Sequence, residues 1–169
     1  MITQRSLVAL AATVAFAICA SAAQAVADPA QPTVAASTAQ GVKRVQSAYG
    51  FDETVSRIKA DIAGKGIQFF TEIDQTRLGE GAKIAIRPSK LLLFGNPPLG
   101  VQFLQSNPVA GLDWPVRMLV TQDDDGTVWL SWTDFKFVAG RYQLTDRDPQ
   151  IKMATEVAAS IASSARKQP

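Results

Sequence analysis

The side chains with the clearest capacity for acid–base chemistry are two neighbouring carboxylates. Glu72 and Asp74 stand two positions apart, and Arg77 and Glu80 follow them. A carboxylate pair can act as general acid and base where burial separates the two pKa values. The strand expected around Ile73 turns Glu72 away from that apolar residue, towards solvent or the rim of a cleft. A hydrolase or isomerase that uses Glu72 and Asp74 is therefore one hypothesis.

Other catalytic chemistry is limited by the residue inventory. The sequence contains no histidine, and Cys19 is its one cysteine. Cys19 lies in an apolar run, residues 7–20, that follows Arg5 and precedes Ala23-Gln-Ala25, a pattern typical of a secretory signal peptide. We expect residues 1–25 to be removed near Ala25 and the protein to be periplasmic or secreted in a bacterium. The remaining chain would lack thiol and imidazole, which excludes Ser-His-Asp and Cys-His catalysis, and we expect no metal and no cofactor.

The rest of the composition predicts one small domain. About 144 residues follow the predicted cleavage site, with 16 basic and 15 acidic side chains and no long block of either sign. We therefore expect no nucleic-acid partner, and the lack of a second long apolar run predicts no membrane span. Residues 26–42 are small and polar and contain two prolines, as a flexible linker does. Residues 43–166 remain as the folded domain.

A loop after an apolar segment is the first candidate binding element. The segment Leu91–Phe94 is apolar on both faces, as a central strand requires, and Gly95, Asn96 and Pro97 follow it. Gly95 permits close backbone approach, Asn96 offers a donor and an acceptor, and the prolines stiffen the loop. The alternative is a sharp strand exit in which the Asn96 side chain pairs with its own turn.

Two tryptophans extend this candidate site. On the strand that contains Trp129, the residues Val128, Leu130 and Trp132 form the expected core face, which leaves Trp129 on the other side. A large exposed aromatic side chain indicates cover by a helix, a ligand or a second subunit. Trp114 lies beside Pro115 and either lines the same region or plugs the core. The loop, the two tryptophans and the carboxylates Glu72 and Asp74 are together the predicted residues of a site for a small apolar or amphipathic ligand, and no residue is assigned as catalytic in this interpretation.

The elements that position these residues follow from periodicity. Consecutive carboxylates at 123–125 precede Gly126, which favours a hairpin turn over a calcium loop, since the ligand spacing of a calcium loop is absent. The remaining segments alternate between strand and helix patterns and are joined too briefly for crossovers, which predicts an α+β domain with a mostly antiparallel sheet and helices packed on one face. Strands are expected at 43–49, 67–73, 82–87, 91–94, 115–121 and 127–133, and helices from Asp52, at 99–106 and from Asp148.

The sequence of residues 72–142 resembles that of a known bacterial family. The segments Glu72-Ile-Asp74, Gly81–Pro88, Leu91–Pro97 and Leu112–Pro115, and Asp125-Gly126 before an aromatic strand, are similar to the family named domain of unknown function 302. The resemblance implies a compact α+β fold of the TATA-binding-protein-like type, often a dimer, and no established function.

Two positions depart from the pattern of that family. Relatives commonly carry histidine where this chain has Gln75, and Arg-His where this chain has Arg141-Tyr142. A histidine-dependent activity should therefore not be carried over. The leading hypothesis is an exported, non-catalytic binding or interaction domain that forms a homodimer, and a structural envelope protein is the remaining alternative. An apolar pocket without ionisable groups would favour ligand binding, a buried carboxylate in a pocket would favour an enzyme, and a flat apolar patch around Trp129 would favour assembly.

Overall fold

Five segments with alternating apolar residues form a single antiparallel sheet. The computed structural model describes residues 38–166. The strand order is β1-β5-β4-β3-β2, so β1 and β2 are the two edges and β4 is central. The strands are β1 Val42–Gln46, β2 Gln68–Asp74, β3 Ser89–Gly95, β4 Val116–Gln122 and β5 Val128–Thr133.

Helices cover one face of this sheet and close the core. Leu92, Met118 and Leu130 are fully buried on that face, where Leu92 is the register partner of Met118. Ile58 of α1 and Ile161 of α5 are fully buried with them. The sequence-based expectation of an α+β domain with an antiparallel sheet and helices on one face is confirmed. The helices are α1 Phe51–Gly64, α2 Gln75–Gly81, α3 Pro97–Ser106, α4 Phe135–Tyr142 and α5 Asp148–Ser163, with a 3-10 helix at Pro108–Asp113.

The hairpin around Gly126 is confirmed, and the strand predicted at 82–87 is wrong. Asp123 N donates to Thr127 O at 2.9 Å, and Gly126 has a φ of 85° in this turn. Residues 82–88 form no strand, because Ala82 N and Ile84 N bond back to carbonyl groups of α2 and Lys83 has a φ of 59°, so the segment begins as the end of that helix. Ile84 and Ile86, expected to point inward, are 63% and 45% exposed.

A β-bulge corrects the expected orientation of the second strand. The pairing of β2 with β3 shifts between Phe69 and Thr71, so the side-chain alternation reverses beyond that point. Glu72 is therefore paired with Leu92 and half-buried, whereas Ile73 is 37% exposed. Ile73 was predicted to share the apolar face of this strand, with Glu72 pointing towards solvent or the rim of a cleft; the structure instead exposes Ile73 and half-buries Glu72.

Helix ends differ from the sequence-based expectation in small ways. Gly50, not Asp52, is the N-cap of α1, and Asp52 lies in the first turn, where its charge suits the helix dipole. Helix α3 begins at Pro97 and buries Phe103, while Val101, expected to be buried, is exposed. Helices α2 and α4 were not predicted.

The predicted signal peptide and most of the predicted linker lie outside the described residues. The linker was expected to extend through Val42, but Val42 is already the first residue of β1. No helix within residues 38–166 combines the length and apolar character that crossing a bilayer requires.

Candidate functional site

A small apolar cavity lies where the central strands end beneath α3 and α5. Its volume is about 30 Å³, and its wall is almost entirely apolar. None of the side chains in the wall is ionisable, so the cavity holds no candidate acid, base or nucleophile. The wall consists of Ile67, Phe94, Gly95, Asn96, Leu99, Gly100, Phe103, Trp114, Val116, Phe135, Ala154, Val157 and Ala158.

The indole of Trp114 forms one side of this cavity by lying against two glycines. A Cβ atom at Gly95 would stand 3.2 Å from Trp114 Nε1, and a Cβ atom at Gly100 would overlap the indole outright. The ring of Phe70 meets Trp114 edge-on, with the ring centroids 6.0 Å apart. The Trp114–Pro115 peptide bond is cis. Glycine at position 100, inside α3, is therefore required for the indole to reach its place.

Asn96 combines both roles that its sequence position allowed. Its Oδ1 atom accepts a hydrogen bond from Leu99 N at 3.4 Å as the N-cap of α3, and its side chain also lines the cavity. Pro97 occupies the first position of the helix, where the missing N–H costs nothing, and does not line the cavity. The loop is thus both a capped strand exit and a cavity wall.

An open groove of about 230 Å³ adjoins the cavity between the N-terminal turns of α3 and α5. Asn96 and Leu99 line both the cavity and the groove, so these two residues lie at the boundary between the two spaces. The groove contains two glutamines and no ionisable side chain. Its lining residues are Asn96, Pro98, Leu99, Gln102, Pro149, Gln150 and Met153.

Trp129 lies apart from this site, on the sheet face opposite the helices. The Arg44 guanidinium covers its ring at 4.0 Å from the centroid, and Trp129 Nε1 donates to Asp123 Oδ2 at 2.9 Å. The covering group expected for Trp129 is thus supplied in part by Arg44 of the neighbouring strand β1. Asp123 also pairs with Arg87 at 3.2 Å. Within residues 38–166 no group of three acidic side chains is arranged to hold a metal ion.

Glu72 and Asp74 form a third, separate group on β2. Glu72 pairs with Lys59 Nζ at 3.0 Å and with Lys90 Nζ at 3.5 Å. Asp74 Oδ1 accepts from Arg77 N and caps α2. Neither carboxylate lines the apolar cavity. The two carboxylates therefore lie outside the apolar cavity, and each already has partners elsewhere.

Asp113 forms a charged cluster that sequence reasoning missed. Its side chain is 5% exposed and contacts Arg117, Arg141 at 3.4 Å and the Tyr142 hydroxyl at 2.7 Å. The hydrogen bond to Asp113, together with burial, raises the pKa of Tyr142 above its ordinary value. Part of the signal was present in the sequence, because Asp113 belongs to a segment that carries the family resemblance and Arg141-Tyr142 stands at a position that departs from the family pattern.

The two positions where relatives carry histidine lie at opposite ends of the sheet. Gln75 Oε1 accepts from the Ser89 hydroxyl at 2.7 Å, at the start of β3. Ser89 pairs with Thr121, near the end of β4. The Tyr142 hydroxyl instead donates to Asp113, which precedes the first residue of β4. The positions therefore do not share one site in this chain.

Comparison with protein families decides the membership. The family model "Domain of unknown function DUF302" matches residues 43–166, which is nearly the whole described domain. The chain belongs to the DUF302 family.

Curated relatives of this DUF302 chain are longer proteins. The chain is 33% identical over 113 residues to "Fluoride-specific ion channel FluC 1" of Brucella suis biovar 1 (strain 1330), a match that covers 67% of this chain and 44% of that protein. "Fluoride-specific ion channel FluC 2" of Brucella melitensis biotype 1 matches at the same identity over 42% of its length. The chain thus spans less than half the length of these relatives.

A solved structure shares the fold. The DUF302 chain resembles the "uncharacterized conserved protein DUF302 from Bacillus stearothermophilus" with a TM-score of 0.68. The superposition covers 75% of this chain and 98% of that one, at 17% sequence identity. At this identity the likeness shows the fold alone.

Proposed function

We propose that this DUF302 chain is an exported, non-catalytic binding domain that holds a small apolar ligand against Trp114. The observation that carries the proposal is a cavity wall without any ionisable side chain, in which the indole faces apolar side chains of α3 and α5. Ligand sites are typically concave, apolar and equipped with few polar groups. The same wall argues against the alternative of a carboxylate-dependent hydrolase or isomerase, since Glu72 and Asp74 are elsewhere and already paired.

The size of the cavity defines what binding requires. A volume of about 30 Å³ holds little more than one or two methyl groups. A ligand therefore enters with its apolar end in the cavity and its body in the adjoining groove, after the Leu99 side chain shifts. Leu99 is half-buried and lines both spaces, so its rotamer decides whether they are connected.

The test is an NMR titration of the full chain with ethylbenzene, an uncharged apolar probe. We expect saturable shifts of the Trp114, Gly100 and Ala158 signals, with no matching shifts at Trp129, which serves as the internal control. Native mass spectrometry of protein purified from the periplasm of its host would then identify a retained molecule. Absence of any saturable shift at Trp114, with the protein folded, would remove the proposal.

We propose that the open sheet face carries the homodimer interface. Leu91, Leu93 and Leu119 lie on the face opposite the helices and are half-buried, which leaves apolar surface next to the exposed Ile73. Contiguous exposed apolar surface on a soluble domain is typical of an interaction site. The Leu119→Lys variant should be monomeric by light scattering at concentrations where the unmodified chain is dimeric. A monomeric unmodified chain would remove this proposal and leave ligand binding untouched.

The curated relatives support a second candidate function. A domain like this one accounts for less than half of proteins named as fluoride-specific ion channels, which favours a role beside a membrane channel. Crosslinking in membranes of the host would test this role. Recovery of the chain with an ion channel would support it, and recovery without any membrane protein would contradict it.

A further inference from the structure

One of the glutamines that line the groove beside the cavity has a buried side-chain oxygen atom that lacks a partner. Of the buried side-chain nitrogen and oxygen atoms in residues 38–166, only Gln150 Oε1 forms no hydrogen bond. Gln150 lies in the first turn of α5, three residues before Met153, and both residues line the groove. An unpaired buried carbonyl costs about 1–3 kcal/mol, so such an atom needs an explanation.

The orientation of this amide is fixed by a chain of hydrogen bonds. Gln150 Nε2 donates to Gln102 Oε1 at 2.9 Å, and Gln102 Nε2 donates to Pro98 O at 2.9 Å. Turning the Gln150 amide over would bring its oxygen against the Gln102 oxygen, and turning both would remove the donor from Pro98 O. Only the arrangement shown keeps this chain of hydrogen bonds intact, so the unpaired atom is an acceptor and calls for a donor.

A free donor lies across the same groove. Asn96 uses Oδ1 to cap α3, and its amide nitrogen makes no hydrogen bond within the described part of the chain. Asn96 and Gln150 both line the groove, and Asn96 also lines the cavity. One neutral hydroxyl group can donate to Gln150 Oε1 and accept from the Asn96 amide, because a hydroxyl group is both donor and acceptor.

We propose that the ligand of this site is a small uncharged alcohol, whose hydroxyl group pairs with Gln150 Oε1 and whose apolar body extends past Leu99 towards Trp114. The inference rests on the proposed apolar binding function and adds the head group. Neither space is lined by an ionisable side chain, so a charged head group would find no side chain of opposite charge to pair with. The groove, at about 230 Å³, is much larger than the cavity of about 30 Å³, so it has room for the head group and most of the body of such a molecule.

Access to Gln150 Oε1 requires movement of the side chains that line the groove. Met153 is 54% exposed, and its unbranched side chain adapts easily to a new shape. A rearrangement of Met153 and Leu99 alone leaves the backbone of both helices unchanged. The binding of an alcohol should therefore shift the methyl signals of these two residues together.

The test compares benzyl alcohol with ethylbenzene, which have the same number of non-hydrogen atoms and differ by a hydroxyl group in place of a methyl group. Dissociation constants are measured by NMR for the full chain and for Gln150→Met, which keeps the length of the side chain and removes the acceptor. Gln105→Met is the matched control, since Gln105 is exposed on α3 and lies outside the groove. Thermal unfolding confirms that each variant is folded.

We expect Gln150→Met to raise the ratio of the dissociation constant of benzyl alcohol to that of ethylbenzene at least fivefold. Gln105→Met should leave this ratio unchanged. The Gln150 side-chain amide signal should shift with benzyl alcohol and not with ethylbenzene. Binding of both probes with an unchanged ratio in Gln150→Met would overturn the alcohol proposal and leave the apolar site standing. Failure of both probes to bind the unmodified chain would overturn the proposed binding function as well.

Discussion

Replacing Gly100 by alanine tests whether the indole of Trp114 depends on the missing side chain. The new Cβ atom would stand 2.5 Å from Trp114 Cδ1 and closer still to Nε1, well below the 3.0 Å that real Cβ contacts respect. The Cβ atom is fixed to the backbone of α3, so the indole must move. Gly140 of α4 provides a matched control, because a Cβ atom there meets nothing within 4 Å.

The two substitutions should change the free energy of unfolding in opposite directions. Alanine in a helix is favoured over glycine by about 0.5–1 kcal/mol, which is the whole effect expected at Gly140. At Gly100 the same gain is opposed by overpacking of about 1–3 kcal/mol, and complete loss of the indole packing would approach the roughly 3–5 kcal/mol of a Trp→Ala change. We expect Gly100→Ala to be less stable by about 1–3 kcal/mol, or roughly 4–12 °C in Tm.

The assay is guanidinium unfolding followed by far-UV circular dichroism, with ethylbenzene affinity measured on the folded variants. Gly100→Ala should lower the unfolding midpoint and weaken ethylbenzene binding, because the displaced indole no longer lines the cavity. Gly140→Ala should raise the midpoint and leave binding unchanged. A Gly100→Ala protein as stable as the unmodified chain would refute the reasoning about the indole.

Three further predictions concern charged and polar groups. Tyr142→Phe removes the hydroxyl that donates to Asp113. That hydrogen bond raises the pKa of Tyr142. The stabilisation that the hydrogen bond provides is therefore present below pH ~10 and is lost as pH rises through the folded-state pKa of Tyr142. The difference in free energy of unfolding between the unmodified chain and Tyr142→Phe, measured in urea, should thus shrink above pH ~10. A difference that stays constant with pH would contradict this. Glu72→Gln should cost roughly 0.5–1 kcal/mol, since the pairs it breaks are partly solvated, and leave ethylbenzene affinity unchanged in the same titration; weaker binding would connect the carboxylate to the site. Asp123→Asn keeps an acceptor for Trp129 and should cost under about 1 kcal/mol at low salt, with the loss shrinking in high salt, as followed by thermal unfolding.

The parts of the fold that local pattern determines could be predicted from the sequence. Leu130 and Trp132 alternate with polar neighbours beside an Asp-Gly turn, and this is enough to indicate a hairpin. The same logic was wrong at Ile84 and Ile86, which alternate equally well. Alternation describes a strand only where the backbone is extended and paired, and residues 82–84 instead form the turn that ends α2.

The candidate site divides in the same way. Gly95, Asn96 and Trp114 could be predicted because turn residues and a large aromatic side chain stand out locally. The contributions of Ala154 and Ala158 could not, because small residues on the buried face of α5 look the same whether they border a cavity or fill a core. The bulge between Phe69 and Thr71 left no sign in the sequence, and it is what reversed the expected orientation of Glu72.

The end of the last helix is tied to the beginning of the domain. Ala165 O accepts from Ala48 N at 2.9 Å and from the Ser47 hydroxyl at 3.1 Å, directly after β1. The chain therefore enters and leaves the domain within about one strand length, roughly 17 Å for the five residues of β1. Such a unit can be joined to another protein at either terminus, or inserted into a surface loop, without separating its own layers. This geometry suits a portable module, and it accounts for how matching segments can occur within proteins more than twice their length.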